Sequence, residues 1–99
     1  MDYNISVTIT KAEENKANTY SASCTAQIIF LPDYEMPMHL KRAACLDALQ
    51  IMLQEKGEDL TEKDVKNKIE DFITYRCKIE VKNLVVKKLG NNEPEPDNE

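Results

Sequence analysis

Apolar and polar residues alternate along the first thirty positions with the period of β-strands. From Tyr3 to Lys11, Tyr3, Ile5, Val7 and Ile9 interleave with Asn4, Ser6, Thr8 and Thr10, which predicts a strand with one buried face and one wet face. The pattern returns from Thr19 to Leu31, with Tyr20, Ala22, Cys24, Ala26, Ile28 and Phe30 inward and Ser21, Ser23, Thr25 and Gln27 outward. Between them, Ala12 to Asn18 is short and polar, so the two strands are expected to close as an antiparallel hairpin. The small Ala22, Cys24 and Ala26 leave a shallow trough along the second strand, and a helix is expected to lie in it.

The period then changes. Pro32 ends the strand, having no N–H for a ladder, and Pro37 suits the first position of a helix. From Pro37 to Lys56, steps of about 100° per residue place Met38, Cys45, Leu46, Leu49, Met52 and Leu53 on one broad face. The same rotation places Leu40, Ala44, Ala48 and Ile51 on a narrower second stripe, leaving a thin polar ridge of Asp47, Gln50 and Gln54. A surface helix needs one apolar stripe, so the second calls for another cover: a neighbouring helix, the 32–36 loop, or a second copy of the chain.

Gly57 supplies the left-handed residue that commonly ends a helix. Thr61, with Asp64 three residues on, reads as the capping box of the next helix, and Leu60 can staple onto Val65. Val65, Ile69, Phe72 and Ile73 form its single apolar stripe. Cys77, Ile79 and Val81 resume the strand period, and Leu84 to Leu89 continue it out of phase, which predicts a bulge near Asn83.

These elements make an α+β domain in the order strand, strand, helix, helix, strand. The expected sheet is three-stranded and mostly antiparallel in the order 1-2-3, with both helices on one face. Residues 1–89 form this single domain, and 90–99, rich in Asn, Pro, Glu and Asp, are expected to be a disordered acidic tail. A chain of 99 residues buries only about 60 to 70% of its unfolded surface, so oligomerisation would help it.

Charge changes the picture only once it is divided. The net charge of −5 comes mostly from Glu93, Glu95, Asp97 and Glu99, leaving 13 basic against 14 acidic side chains in the domain. The domain is therefore neither an acidic nucleic-acid mimic nor barred from binding nucleic acid. Arg76, Lys78, Lys82, Lys87 and Lys88 lie close together with only Glu80 opposing them, three of them on the outward face of the last strand, and they are the candidate phosphate contacts. Lysines also guard edge strands against unwanted pairing, and no aromatic is interleaved on the outward face for base stacking. Edge protection is therefore the favoured reading of these residues.

Catalytic signals are weak. Cys24, Cys45 and Cys77 with His39 number four zinc-type ligands, but they show no C-x-x-C spacing, and all three cysteines fall on inward faces, where a free thiol acts as a small hydrophobe. His39 is the single histidine, and its place in the first turn of the helix near Glu35 and Arg42 is that of an ordinary boundary residue. There is no glycine-rich phosphate loop or dinucleotide fingerprint. No catalytic, cofactor-binding or metal-binding residue is assigned, and the chain is expected not to be an enzyme.

The odd, scattered cysteines suit a reducing compartment. The start Met1-Asp2-Tyr3-Asn4 lacks the basic region of a secretory leader, and no apolar run is long enough for a membrane span. A cytoplasmic binding module results: an adaptor, inhibitor or assembly factor that meets a protein partner and self-associates through Leu40, Ala44, Ala48 and Ile51. Nucleic-acid binding through the basic strand is the alternative.

Overall fold

The computed structural model describes residues 2–31 and 35–91. Strands β1 (Asp2–Glu13) and β2 (Lys16–Phe30) are followed by helices α1 (Met38–Lys56) and α2 (Glu62–Phe72), and strand β3 (Cys77–Asn91) closes the chain. The sheet is antiparallel throughout in the order β1-β2-β3. This is the α+β domain the hydrophobic pattern predicts.

The hairpin is tighter than the polar stretch 12–18 suggests. The strands run on to pair Glu13 with Lys16, and the two residues between them, Glu14 (φ 48°) and Asn15 (φ 69°), both have positive φ. That is the I′ geometry whose twist matches the flanking strands. At the other end, β3 continues two residues past Leu89, with Gly90 opposite Thr19 and Asn91 opposite Asn18. The rest of the acidic segment, 92–99, lies outside the described residues, as does Tyr34 of the 32–36 loop.

Both helices cover the inner sheet face, side by side. α1 lies chiefly over β1 and touches β2 less, while α2 lies over β3. The placement corrects the expectation that α1 sits in the trough of β2. Two helices about 10 Å apart must straddle three strands spaced about 4.8 Å, so the seam between them falls above Ala22, Cys24 and Ala26. The small residues make room for Leu49, Leu53, Val65 and Ile69, all fully buried.

Two residues assigned inward are exposed. Met38 is 51% accessible at the first position of α1, and Phe72 is 44% accessible at the last position of α2. Helix ends overrun the layer beneath them, and Ile73, just past α2, fills the core position instead. Gly57 closes α1 by donating its N–H to Leu53 O, with φ 58° and ψ −128°. This is an extended positive-φ conformation outside the compact left-handed well, and a side chain resists it. The capping box at Thr61 is complete: the Asp64 N–H donates to Thr61 Oγ1 (3.2 Å), and Asp64 Oδ2 accepts from the Thr61 N–H (3.0 Å).

The predicted bulge is present. Ser23 pairs with Val85 and Thr25 with Lys82, so Asn83 and Leu84 together oppose Cys24, and Asn83 takes φ 60°. A second register shift lies between Thr19 and Tyr20, where Leu89 is the extra residue.

Candidate binding surface

The sheet's outer face carries no helix and is built from rows of hydrogen-bonding side chains. β1 and β2 contribute the cross-strand pairs Asn4–Thr25, Ser6–Ser23, Thr8–Ser21 and Thr10–Thr19. Thr25 Oγ1 donates to Asn4 Oδ1 (3.1 Å) and accepts from Asn83 Nδ2 (3.5 Å), so one chain of hydrogen bonds crosses all three strands. Thr10 and Thr19 hydroxyls stand 3.4 Å apart, and Gln27 Nε2 donates to Asp2 Oδ1 at 2.7 Å. These pairs fix the rotamers of short side chains, so this part of the face loses little entropy on contact, while the exposed Ile29 and Val85 add apolar surface beside it.

The hollow over this face, lined by Asn4, Ser6, Ser23, Thr25 and Asn83, measures about 280 Å³. That is at the small end for a ligand pocket, typically about 300–1,000 Å³ with mostly apolar walls. A second, open hollow beside β3 is lined by Lys66, Glu70, Lys78 and Glu80, two charges of each sign. Neither wall set resembles an enclosed small-molecule site.

The basic residues split between two faces. Lys78, Lys82 and Lys87 pair with Ile29, Thr25 and Ser21 and point outward, but Lys88 pairs with the inward Tyr20 and turns to the helix side. Arg76 lies in the bend before β3. Glu80, opposite Gln27, sits between Lys78 and Lys82 on the same face, and Asp2 lies one strand further on. At about 3.3 Å per residue, Lys78 and Lys82 are about 13 Å apart. The five residues do not form one continuous basic stripe.

The proposed self-association stripe is also divided. Leu40 (48%) and Ile51 (38%) are exposed and Ala44 is half-buried, but Ala48 is fully buried. Ala48 stands three residues after Cys45 and four before Met52, inside the buried arc of α1. It belongs to the core and has no surface to offer a second copy.

Burial pushes the Cys24 thiol up to about 11, with the nearby Glu62 carboxylate adding to the effect. Burial likewise raises Cys45 to about 11, helped by Cys24, and raises the partly exposed Cys77. Such thiols stay protonated and weakly nucleophilic at neutral pH. His39 is exposed in the first turn of α1. Among the described residues no three His, Cys, Asp or Glu side chains gather as a metal site requires, and no helix is long and apolar enough to cross a membrane.

No protein family, curated protein or solved structure matches the chain.

Two contacts invisible in the hydrophobic pattern shape the sheet edges. Arg42 Nη1 donates to the Asn4 carbonyl (3.4 Å), reaching from α1 to the outer edge of β1. Glu62 Oε2 accepts from the Leu84 N–H (3.2 Å), tying α2 to the bulge of β3. Neither pairing is marked by sequence spacing, because each depends on which helix lies over which strand.

Proposed function

We propose that the chain is a non-enzymatic binding module, an adaptor, inhibitor or assembly factor, that works through protein–protein contacts as a homodimer. The observation that supports this most is the outer sheet face, where Ser, Thr, Asn and Gln side chains hold one another in place across the strands. Uncharged hydroxyls and amides cost less to desolvate than ions, and they can donate to or accept from a partner's backbone. A broad, preorganised face of this kind suits a macromolecular partner better than a small ligand. A reducing, cytoplasmic setting goes with it, since all three cysteines are free thiols.

Nucleic acid ranks second. The outward Lys78, Lys82 and Lys87 favour phosphate contact, while Glu80 among them and Lys88 on the opposite face oppose it. The test is capture by the tagged full chain from extract of its native cell, with and without nuclease. A protein retained after nuclease treatment is the expected result; capture lost with the nucleic acid would speak for the basic strand.

A further inference from the structure

The two edges of the sheet are unequal. β3 carries Lys78, Glu80, Lys82, Lys87 and Lys88, and its ladder is broken by two register shifts and by Asn83 at positive φ. Charge and bulges are the devices that stop an edge strand from pairing. β1 has neither: from Tyr3 to Thr10 it holds no charged residue, no proline and no register shift.

Its free hydrogen-bonding groups can be located. The Leu31 N–H donates to the Arg76 carbonyl of the β3 side. Alternate β2 residues repeat that direction, so Thr25 turns its backbone toward β3 and away from β1. Asn4, opposite Thr25, therefore turns its own N–H and C=O to the free edge, and the Arg42 bond to the Asn4 carbonyl agrees. Ser6, Thr8 and Thr10 follow with the same direction, and among the described residues nothing is hydrogen-bonded to their backbone on that side.

The surroundings of the edge decide what fits on it. A second copy paired antiparallel there would set its own α1 about one strand spacing, roughly 4.8 Å, from this one, and helices pack no closer than about 8 Å. A lone strand brings no helix and meets no such clash. Val7, between the buried Ile5 and Ile9, is half-buried. So is Leu46, one turn on from Arg42 on the flank of α1 that reaches the edge. Both pack against the core and keep apolar surface in reach of an added strand. Arg42 is exposed and has no carboxylate partner among the described residues.

We infer that β1 takes up an extended segment of a partner protein as a fourth, antiparallel strand. This rests on the reading above that the chain binds protein, and it gives the chemistry of what is bound. The segment's residues opposite Thr10, Thr8 and Ser6 exchange backbone hydrogen bonds with β1, and their small polar side chains continue the outer face. Those opposite Ile9 and Val7 are apolar and turn to the side of α1. The residue opposite Ile5, at the segment's C-terminal end, is acidic and meets the Arg42 guanidinium. Backbone bonds supply the affinity, and the apolar and acidic positions supply the selection.

Fluorescence anisotropy of a labelled, end-blocked Thr-Val-Thr-Val-Thr-Glu peptide with the full chain tests this. Thr8→Pro, Arg42→Glu and Ser23→Arg are measured alongside, with circular dichroism confirming that each is folded. The Thr8 N–H points to the free edge, so proline there removes no bond within the subunit. The expected pattern is saturable binding by the wild type and by Ser23→Arg, and binding about tenfold weaker in Thr8→Pro, the loss an edge hydrogen bond implies. Arg42→Glu should also bind more weakly and should prefer the same peptide ending in lysine; it is the second variant should proline unfold the strand. A wild type that shows no saturation by about 1 mM peptide overturns the inference, as does binding indifferent to both Thr8→Pro and Arg42→Glu. Binding lost in Ser23→Arg alone moves the peptide to the outer face, which overturns the edge and leaves the binding-module reading standing. Edge binding of the peptide by a chain that captures no protein from extract would support the edge and count against the outer-face contact.

Discussion

Glu62 Oε2 accepts a hydrogen bond from the Leu84 N–H at 3.2 Å, joining the first turn of α2 to the bulge in β3. The two residues opposite Cys24 push one N–H out of the ladder, and a carboxylate at a helix N-terminus, itself well placed for the helix dipole, takes that N–H up. The contact also brings a negative charge near the Cys24 thiol. Glu62→Ala is expected to lower the unfolding free energy by about 0.5–1.5 kcal/mol in urea titrations, and Glu62→Gln by less, since it keeps an acceptor. If Glu62→Ala costs no more than the same change at exposed Glu58, the bond contributes nothing.

Leu49 is fully buried between α1 and the sheet. Leu49→Ala removes its side chain from the centre of the core and is expected to cost about 2–5 kcal/mol, against about 0.5 kcal/mol or less for exposed Gln50→Ala. Thermal melts of the two variants should separate clearly. Equal melting temperatures would mean the buried face of α1 is wrongly assigned.

What could be read in advance followed from periodicity and local chemistry. Alternation at Tyr3–Ile9 and Tyr20–Phe30, the Thr61–Asp64 box and the phase slip at Asn83 each act within a few residues, and each is present. The hairpin was legible, but its two-residue turn was not, because Glu14-Asn15 lacks the usual glycine of a I′ turn. Ala48, Met38 and Phe72 were misplaced because a helical wheel shows direction but not where the neighbouring layer ends. The strand order was legible from connectivity, but the inequality of the two edges emerges only when β1 and β3 are seen flanking β2. That three of the basic residues share the outward face was legible from alternation, and the register identifies them as Lys78, Lys82 and Lys87.

The capping box makes a pH prediction. Thr61, through hydrogen bonds from its hydroxyl and backbone, holds the Asp64 carboxyl below its ordinary value, with Lys56 and Lys63 adding to the effect. A group depressed in the folded state adds stability that is complete above its unfolded pKa, about 3.9, and is lost as pH falls through the folded value. Asp64→Asn should therefore be less stable than wild type at pH 7, with the gap narrowing below about pH 4. Urea midpoints measured down to pH 3 check this; a gap that widens in acid contradicts it.

Thiol reactivity should follow burial. Cys24 and Cys45 are buried with thiols pushed to about 11, whereas Cys77 is only partly buried. Brief treatment of the native protein with iodoacetamide at pH 8, followed by peptide mapping, should label Cys77 first, and all three cysteines should react in guanidinium. Early labelling of Cys45 would show that α1 opens from the sheet far more readily than its packing implies.

On the proposed reading the uncharged β1–β2 part of the outer sheet face, and not the β3 lysines on the same face, makes the functional contact. Ser23 is exposed on that face, between Ser6 and Val85, so Ser23→Arg places a bulky charge on it without touching the core. Capture from nuclease-treated extract of the native cell should be compared for wild type, Ser23→Arg, and Lys78→Glu combined with Lys82→Glu. The expected result is a protein partner held by the wild type and by the double lysine variant and lost in Ser23→Arg. Partner capture unaffected by Ser23→Arg and abolished by the lysine changes would contradict the claim.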